Sequence, residues 1–277
     1  MGKTFSVDEI NERVANTIAS GLPVIGASAS AGLIAKAAED GGADFIVLYS
    51  TGLSRVMGQE TRLIGDANTV TYAMHEEVWA VVDNTPIIVG LDANDPFNWD
   101  LHKLLTRFKS IGVSGIIHNP MVGIYGQNYS RMRNAIGHGF DREVRMTEIA
   151  HELGLYCMAY TWTSEETLAL TNAGSHCIIA HVGGTGGGLE AIPHKAVEEC
   201  VPLVRELTAT ALAANPDVLV LAHGGPFKDP ESTRDLYRLT DVKGYIGASS
   251  VERTPVETAV MEAAKAFKAV PLGRRNG

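Results

Sequence analysis

Three histidines, His118, His181 and His223, each close a short apolar run: Gly115–His118, Ser175–His181 and Val218–His223. An imidazole changes charge near neutral pH, so such a residue can act as general acid or base, or hydrogen-bond a developing oxyanion. One histidine at a strand end is usually structural. Three at equivalent strand ends are expected to converge on one catalytic mouth. His181 leads into G-G-T-G-G-G, Gly183–Gly188, and His223 into G-G-P. No register of the first run gives G-x-G-x-x-G, and no Lys-Ser or Lys-Thr follows it, so neither a dinucleotide fingerprint nor a P-loop is present. Glycines beside a histidine suit a loop that closes over a ligand or offers backbone donors, Gly184 among them. The structural alternative is a plain connector. No H-x-H or H-E-x-x-H spacing occurs, which argues against a histidine metal site.

Acids and small residues at other strand ends extend the candidate site. Asp92 follows an apolar run and is the candidate ligand for Mg2+ or another divalent cation, because hard cations take oxygen donors. Asp95, just before Pro96, reads as an Asx turn and helix N-cap. Ser28 ends the first run, and Thr51, Gly52 and Leu53 follow the second. Gly224, Gly225, Gly247, Ser249 and Ser250 follow the last two runs, where close backbone approach and hydroxyl donors could cradle a phosphate. Arg55, Arg62 and Arg253 supply positive charge against an anion. Lys36, Lys103, Lys195 and Lys228 fall on helices or loops, so a Schiff-base lysine is not expected.

Eight apolar runs position these residues: Pro23–Ala27, Asp44–Tyr49, Pro86–Leu91, Gly115–His118, Leu155–Tyr160, Ser175–His181, Val218–His223 and Gly244–Ala248. They are continuous rather than alternating, as strands buried on both faces are. Amphipathic stretches lie between them: Ser30–Asp40, Thr69–Val82, Trp99–Ile111, Asp141–Leu153, Ser164–Ala173, Pro193–Ala214, Pro230–Leu239 and Pro255–Val270. Thr163 with Glu166 matches a capping box, and Pro193, Pro230 and Pro255 stand where first-turn prolines belong. Eight strand–helix units predict an α/β fold, a single (β/α)8 TIM barrel across residues 1–277. An extra N-terminal helix, Val7 to Ala19, caps its base. In that fold the active site lies at the strand C-terminal ends, where every candidate above falls.

The 277 residues carry a net charge of −9, with 45% hydrophobic and 20% charged side chains. No basic face is apparent beyond Arg274-Arg275, so nucleic acid is not an expected partner. No apolar stretch reaches the ~20 residues that span a bilayer, so no membrane partner is expected. Cys157, Cys177 and Cys200 are few, odd in number and widely spaced, which fits a reducing cytoplasm better than a disulfide framework.

Two stretches carry a family resemblance. They are A-S-A-S-A-G-L-I-A-K-A-A-E-D-G-G-A-D-F-I-V-L-Y-S-T-G-L-S and P-I-I-V-G-L-D-A-N, within Ile25–Pro120. This region resembles the isocitrate lyase and phosphoenolpyruvate mutase superfamily. The whole chain, including H-V-G-G-T-G-G-G, more closely resembles the phosphoenolpyruvate hydrolase-like barrels, a group that also forms the C-terminal part of a plant tobamovirus-resistance protein. The resemblance implies an enzyme for a small anionic oxo acid or phosphoenol compound. Thr51-Gly52-Leu53 matches the superfamily's substrate-holding S-G-L, and Asp92 the first acid of its Mg2+-binding D-A-D. Asn94 replaces the second acid, His118-Asn119 replaces an outer-shell acid, and M-V-G-I-Y-G-Q-N-Y replaces the K-x-C-G-H lyase loop. These departures weaken the expected metal site and argue against the lyase route, leaving a non-catalytic ligand-binding barrel as the alternative. The resemblance also implies a homo-oligomer, with the apolar C-terminal helix either exchanged between copies or packed on its own barrel.

Overall fold

The computed structural model describes residues 2–62, 65–189 and 193–272; Arg274 and Arg275 lie outside the described residues. Among the described residues, eight parallel strands close into a barrel in chain order. They are β1 (Val24–Ser28), β2 (Phe45–Leu48), β3 (Ile87–Leu91), β4 (Gly115–His118), β5 (Tyr156–Thr161), β6 (Cys177–His181), β7 (Leu219–His223) and β8 (Gly244–Gly247). Each pairs with the next, and β8 pairs with β1. Every strand residue but Ile25 is buried, so neither barrel face is solvated and the continuous apolar runs are accounted for.

The helices follow as α1 (Val7–Ala19), α2 (Gly32–Asp40), α3 (Ser50–Val56), α4 (Ala67–Trp79), α5 (Leu101–Ser110), α6 (Gln127–Ala135), α7 (Phe140–Glu152), α8 (Ser164–Asn172), α9 (Val197–Ala214), α10 (Pro230–Leu239), α11 (Ser249–Glu252) and α12 (Thr254–Lys268). α1 has the predicted bounds because Ser6 and Glu9 form a reciprocal capping box at its start. Pro193 does not open a helix. α9 starts later, where the Glu199 side chain accepts from the Ala196 backbone N–H and fixes the N-cap. Nor does Asp95 cap one. It forms an Asx turn by accepting from Phe97 N–H, and Asp100 caps α5 instead. Thr163 caps α8 as the sequence predicts, but Glu166 turns back to the Trp162 N–H rather than to Thr163. No described helix is long and apolar enough to cross a membrane.

Strand parity divides the core into layers. One apolar cluster fills the barrel with Val47, Ile88, Ile117, Met158, Ile179 and Leu221, joined by Ile10 and Val14 of α1. Two others lie between the strands and the outer helices. Alternate strand residues therefore point to the lumen and to the helices. This parity decides which strand-end side chains can meet. α12 stands apart, with no buried residue and with Val256, Val260 and Phe267 exposed.

Candidate active site

β6 and β7 pair in a register that sets His181 opposite His223. Both continue the lumenal parity of Ile179 and Leu221, and their ring centroids lie 4.7 Å apart in an edge-on arrangement. Trp162 stacks on His181 at 4.3 Å, and Tyr160 packs against both rings at 5.3 and 5.1 Å. The two histidines are only 8% and 7% exposed. Burial drives the His181 pKa well below 6.5, with His223 adding to the effect; burial also takes His223 down to about 4. Both rings are thus neutral at pH 7.

Their backbone partners fix opposite tautomers. His181 Nδ1 accepts the Gly183 N–H at 3.0 Å, so its proton resides on Nε2. His223 Nδ1 lies 2.7 Å from the Ile246 carbonyl, which can only accept. His223 therefore carries its proton on Nδ1 and leaves Nε2 with a free lone pair. Side by side stand one N–H donor and one basic nitrogen, both held neutral, a pairing able to give and take a proton.

His118 does not join them. It has the opposite parity, buried towards α7, with Nε2 2.8 Å from Thr147 Oγ1. Burial lowers its pKa to about 4, and its Nδ1 has no partner. The period-two alternation already separates it from the other two: Ile116 and His118 share one face of β4, while Ile117 takes the other.

The glycine loops after β6 and β7 are zipped to each other. Gly225 N–H donates to Gly183 O at 3.1 Å and Gly186 N–H to Gly225 O at 3.0 Å. Gly224 has φ +86°, and a Cβ there would stand 2.0 Å from Gly183 O, so this contact requires glycine. Beyond Gly184, Arg253 Nη2 donates to Gly187 O and the Leu189 N–H donates to Glu257, which ties the loop to the start of α12.

Among the other predicted ligand contacts, Ser28 bonds a buried ion pair. Arg55 Nη2 lies 2.6 Å from Glu252 Oε2, and both side chains are almost wholly buried. Ser28 Oγ donates to Glu252 and accepts from Arg55, while the Ser30 N–H donates to the other Glu252 oxygen. Arg62 is exposed beside Glu60. Thr51, Gly52 and Leu53 lie in α3 rather than in an open loop. The Gly52 N–H donates to Tyr49 O, and a Cβ on Gly52 would run into Ser30 Oγ, so that side of Gly52 is closed to a ligand. Gly247 ends β8 against Val251, Ser249 is buried at the start of α11, and Ser250 Oγ lies 3.4 Å from the Tyr245 hydroxyl.

The mouth's other side, at β3 and β4, is acidic. Asp92, Asn94, Met121, Tyr125 and Arg133 border a cavity of about 120 Å3. Asp92 Oδ1 accepts from the Asn94 N–H, and burial raises its pKa against the pull of that bond and of Arg133. Asn94 Oδ1 is buried without a partner. Behind this cavity Glu143 accepts the Val122 N–H at 2.7 Å, and burial pushes its pKa up to about 8. Glu166 accepts from Gln127 and Trp162. The segment in place of the lyase loop thus supplies a 3-10 turn at Val122–Tyr125, followed by α6.

The sequence reading missed Glu143 and Glu252. A signal for Glu143 exists: it shares the i, i+3, i+4, i+7 stripe of Met146, Thr147 and Ala150, where a carboxylate is out of place. Glu252 has no local signal, because its partner Arg55 is distant in the chain. Among the described residues, no group of three or more His, Cys, Asp or Glu could hold a metal ion. Asp92 and Asn94 offer one charged and one neutral oxygen donor, enough for a Mg2+ that keeps most of its water.

A family model described as phosphoenolpyruvate hydrolase-like matches residues 9–270. The chain is 35% identical over 269 residues to the ToMV susceptible protein tm-1(GCR26) and to the ToMV resistance protein Tm-1(GCR237), both of Solanum lycopersicum. The match covers 95% of this chain but 36% of either tomato protein, so the chain spans about a third of their length. A crystal structure of phosphonopyruvate hydrolase with oxalate and Mg2+ superposes with a TM-score of 0.62 at 16% identity, covering 94% of this chain and 87% of that one. At that identity the likeness is one of fold.

Proposed function

The chain belongs to the phosphoenolpyruvate hydrolase-like family, and from that premise we propose that its barrel mouth is an active site for a small anionic oxo acid or a phosphoenol or phosphonate compound, cleaved by hydrolysis or at a C–C or C–P bond. The observation that carries this reading is the pair of neutral histidines with opposite tautomers. His223 Nε2 takes a proton from attacking water or from the substrate. His181 Nε2–H donates to the oxygen on which enolate charge develops. Trp162 and Tyr160 wall the pair and limit water access. A Mg2+ bound by Asp92 and Asn94, the latter with its buried unpartnered Oδ1, would neutralise charge on the substrate's oxygens.

The test is His223→Ala against a panel of oxo acids, phosphonopyruvate and phosphoenolpyruvate. Turnover of the active compound should fall by about 100- to 10,000-fold, as for loss of a general base. Oxalate affinity, measured by calorimetry, should change by less than about threefold, because the base acts on the transition state. Equal losses in both would remove His223 from this role.

A ligand-binding barrel without turnover is the second reading. It is favoured by the engagement of the Gly52, Gly183, Gly186 and Gly225 amides within the protein. These donors are not available to an oxyanion in this state. Quantitative recovery of every compound of the panel after prolonged incubation would select it. We also propose that copies of the chain associate through α12, whose apolar Val260 and Phe267 are 62% and 82% exposed. Light scattering on Val260→Glu/Phe267→Glu should then show a smaller particle than wild type.

A further inference from the structure

The base of the barrel is covered on one side only. The N-terminal segment and α1 attach near β2 and β4: Thr4 Oγ1 donates to Gly112 O, Phe5 N–H to Ser114 Oγ, and Thr17 Oγ1 to Asp44. Beneath β5–β8 a cavity of about 530 Å3 remains, bordered by Val14 and Ile18 of α1, Tyr156, Leu212 of α9 and Leu219. That volume falls within the roughly 300–1,000 Å3 of small-molecule sites. The cavity by the mouth's acidic residues holds only about 120 Å3.

Two polar residues stand in this apolar wall, and one of them lacks a protein partner. Ser175 is 2% exposed and lines the cavity, and its hydroxyl makes no hydrogen bond. A buried hydroxyl left unpaired costs free energy that a ligand could recover. His176 also lines the cavity, and its Nδ1 accepts the Cys157 N–H at 3.0 Å, so Nε2 carries the proton. His176 lies in a stack of rings, 4.9 Å from Tyr156 and 5.3 Å from His151. Burial lowers its pKa to about 4, so it presents a neutral donor at pH 7. The rim bears Asp217, Asp241 and Lys243, which gives no net attraction for an anion.

We propose that this cavity is a second binding site, remote from the mouth, for a neutral planar aromatic compound bearing a carboxamide or lactam. Its ring packs against the aromatic stack and the aliphatic wall. Its carbonyl accepts from His176 Nε2–H, and its N–H donates to Ser175 Oγ.

The test uses benzamide, benzoate and benzylamine as probes on the whole chain, with 1H–15N NMR as readout. The Cys157 amide is the reporter, since it is bonded to His176. Benzamide is expected to shift the Cys157 and His176 amides saturably, and benzoate to do so at least about tenfold more weakly for want of a buried cation. Ser175→Ala should weaken benzamide by about fivefold, the worth of one ordinary hydrogen bond. Ala15→Trp, a change at an exposed α1 position lining the cavity, should abolish the shifts and leave the rest of the spectrum intact. Benzoate binding as well as benzamide, or shifts that persist in Ala15→Trp, would overturn the proposal. Failure of all three probes to saturate would also overturn it.

Discussion

The two sides of the barrel mouth hold protons in opposite senses. On the β6–β8 side, a backbone amide and a backbone carbonyl fix which nitrogen of His181 and His223 is protonated, and burial keeps both rings neutral. On the β3–β4 side, burial acts on carboxylates and works the other way, raising the Asp92 and Glu143 pKa values. Low polarity disfavours the charged form in both cases, so it lowers the imidazole pKa values and raises those of the carboxyls. The histidine side is stripped of positive charge, and on the other side Glu143 keeps its proton. On the histidine side, directionality is supplied by tautomers rather than by fixed ions.

The exception is the Arg55–Glu252 pair, a full ion pair set beside the neutral histidines. Breaking it should produce the largest effect. Glu252→Gln leaves Arg55 buried without its counter-charge, which typically costs about 3–5 kcal/mol. Urea unfolding at pH 7 should show that loss. The double variant Arg55→Met/Glu252→Leu should recover most of it, since no charge then remains buried. A double variant as unstable as the single one would mean that the pair's hydrogen bonds to Ser28 and Ser30, rather than its charges, hold this part of the mouth.

The histidine side predicts a loss of stability in acid. His223 titrates near 4 when folded and at the ordinary 6.5 when unfolded. Between those values the unfolded chain takes up a proton that the folded chain refuses, so stability falls as pH drops from 6.5 to about 4. The full difference corresponds to roughly 3 kcal/mol for such a ring. Urea unfolding of wild type and His223→Gln at pH 7 and pH 4 should therefore differ, with the variant losing less by about that amount. Parallel pH profiles would mean that the His223 ring is already solvated, and would remove the basis for its neutral, basic Nε2.

These two regions were not equally legible in the sequence. The strands read clearly because a barrel buries both strand faces, leaving runs such as Cys177–Ile178–Ile179–Ala180 unbroken by polar residues. His181 and His223 follow from those runs. Excluding His118 needs only the parity of β4, which was available but is weaker than the strand-end rule that groups all three. The acidic side is harder. Glu143 comes from the far helix α7, and its neighbour Val122 lies in a turn that no periodicity marks. The pairing of Arg55 with Glu252 joins α3 to α11 across the end of β1, a contact that only the finished topology creates. The availability of backbone donors is also invisible in sequence. Gly52, Gly183 and Gly225 look like open cradles until their N–H groups are seen to be engaged.

A change at Glu143 sharpens the comparison most directly, because Glu143 should respond to pH with the opposite sign. Its folded pKa of about 8 lies above the ordinary 4.5. As pH rises from 4.5 towards 8 the unfolded chain releases a proton that the folded chain keeps, so Glu143's contribution is full below 4.5 and is lost as pH rises through about 8. Between 4.5 and 6.5 this slope opposes that of the histidines. Glu143→Gln keeps an oxygen for the Val122 N–H and removes the titration. The variant should match wild type near pH 4.5 and become more stable than it as pH rises, diverging by at most about 1.4 kcal/mol per pH unit. Urea midpoints at half-unit intervals from pH 4.5 to 8 would measure the divergence. A difference that stays constant over that range would show that Glu143 is charged in the folded protein, and that the two sides of the mouth do not hold their protons in opposite senses.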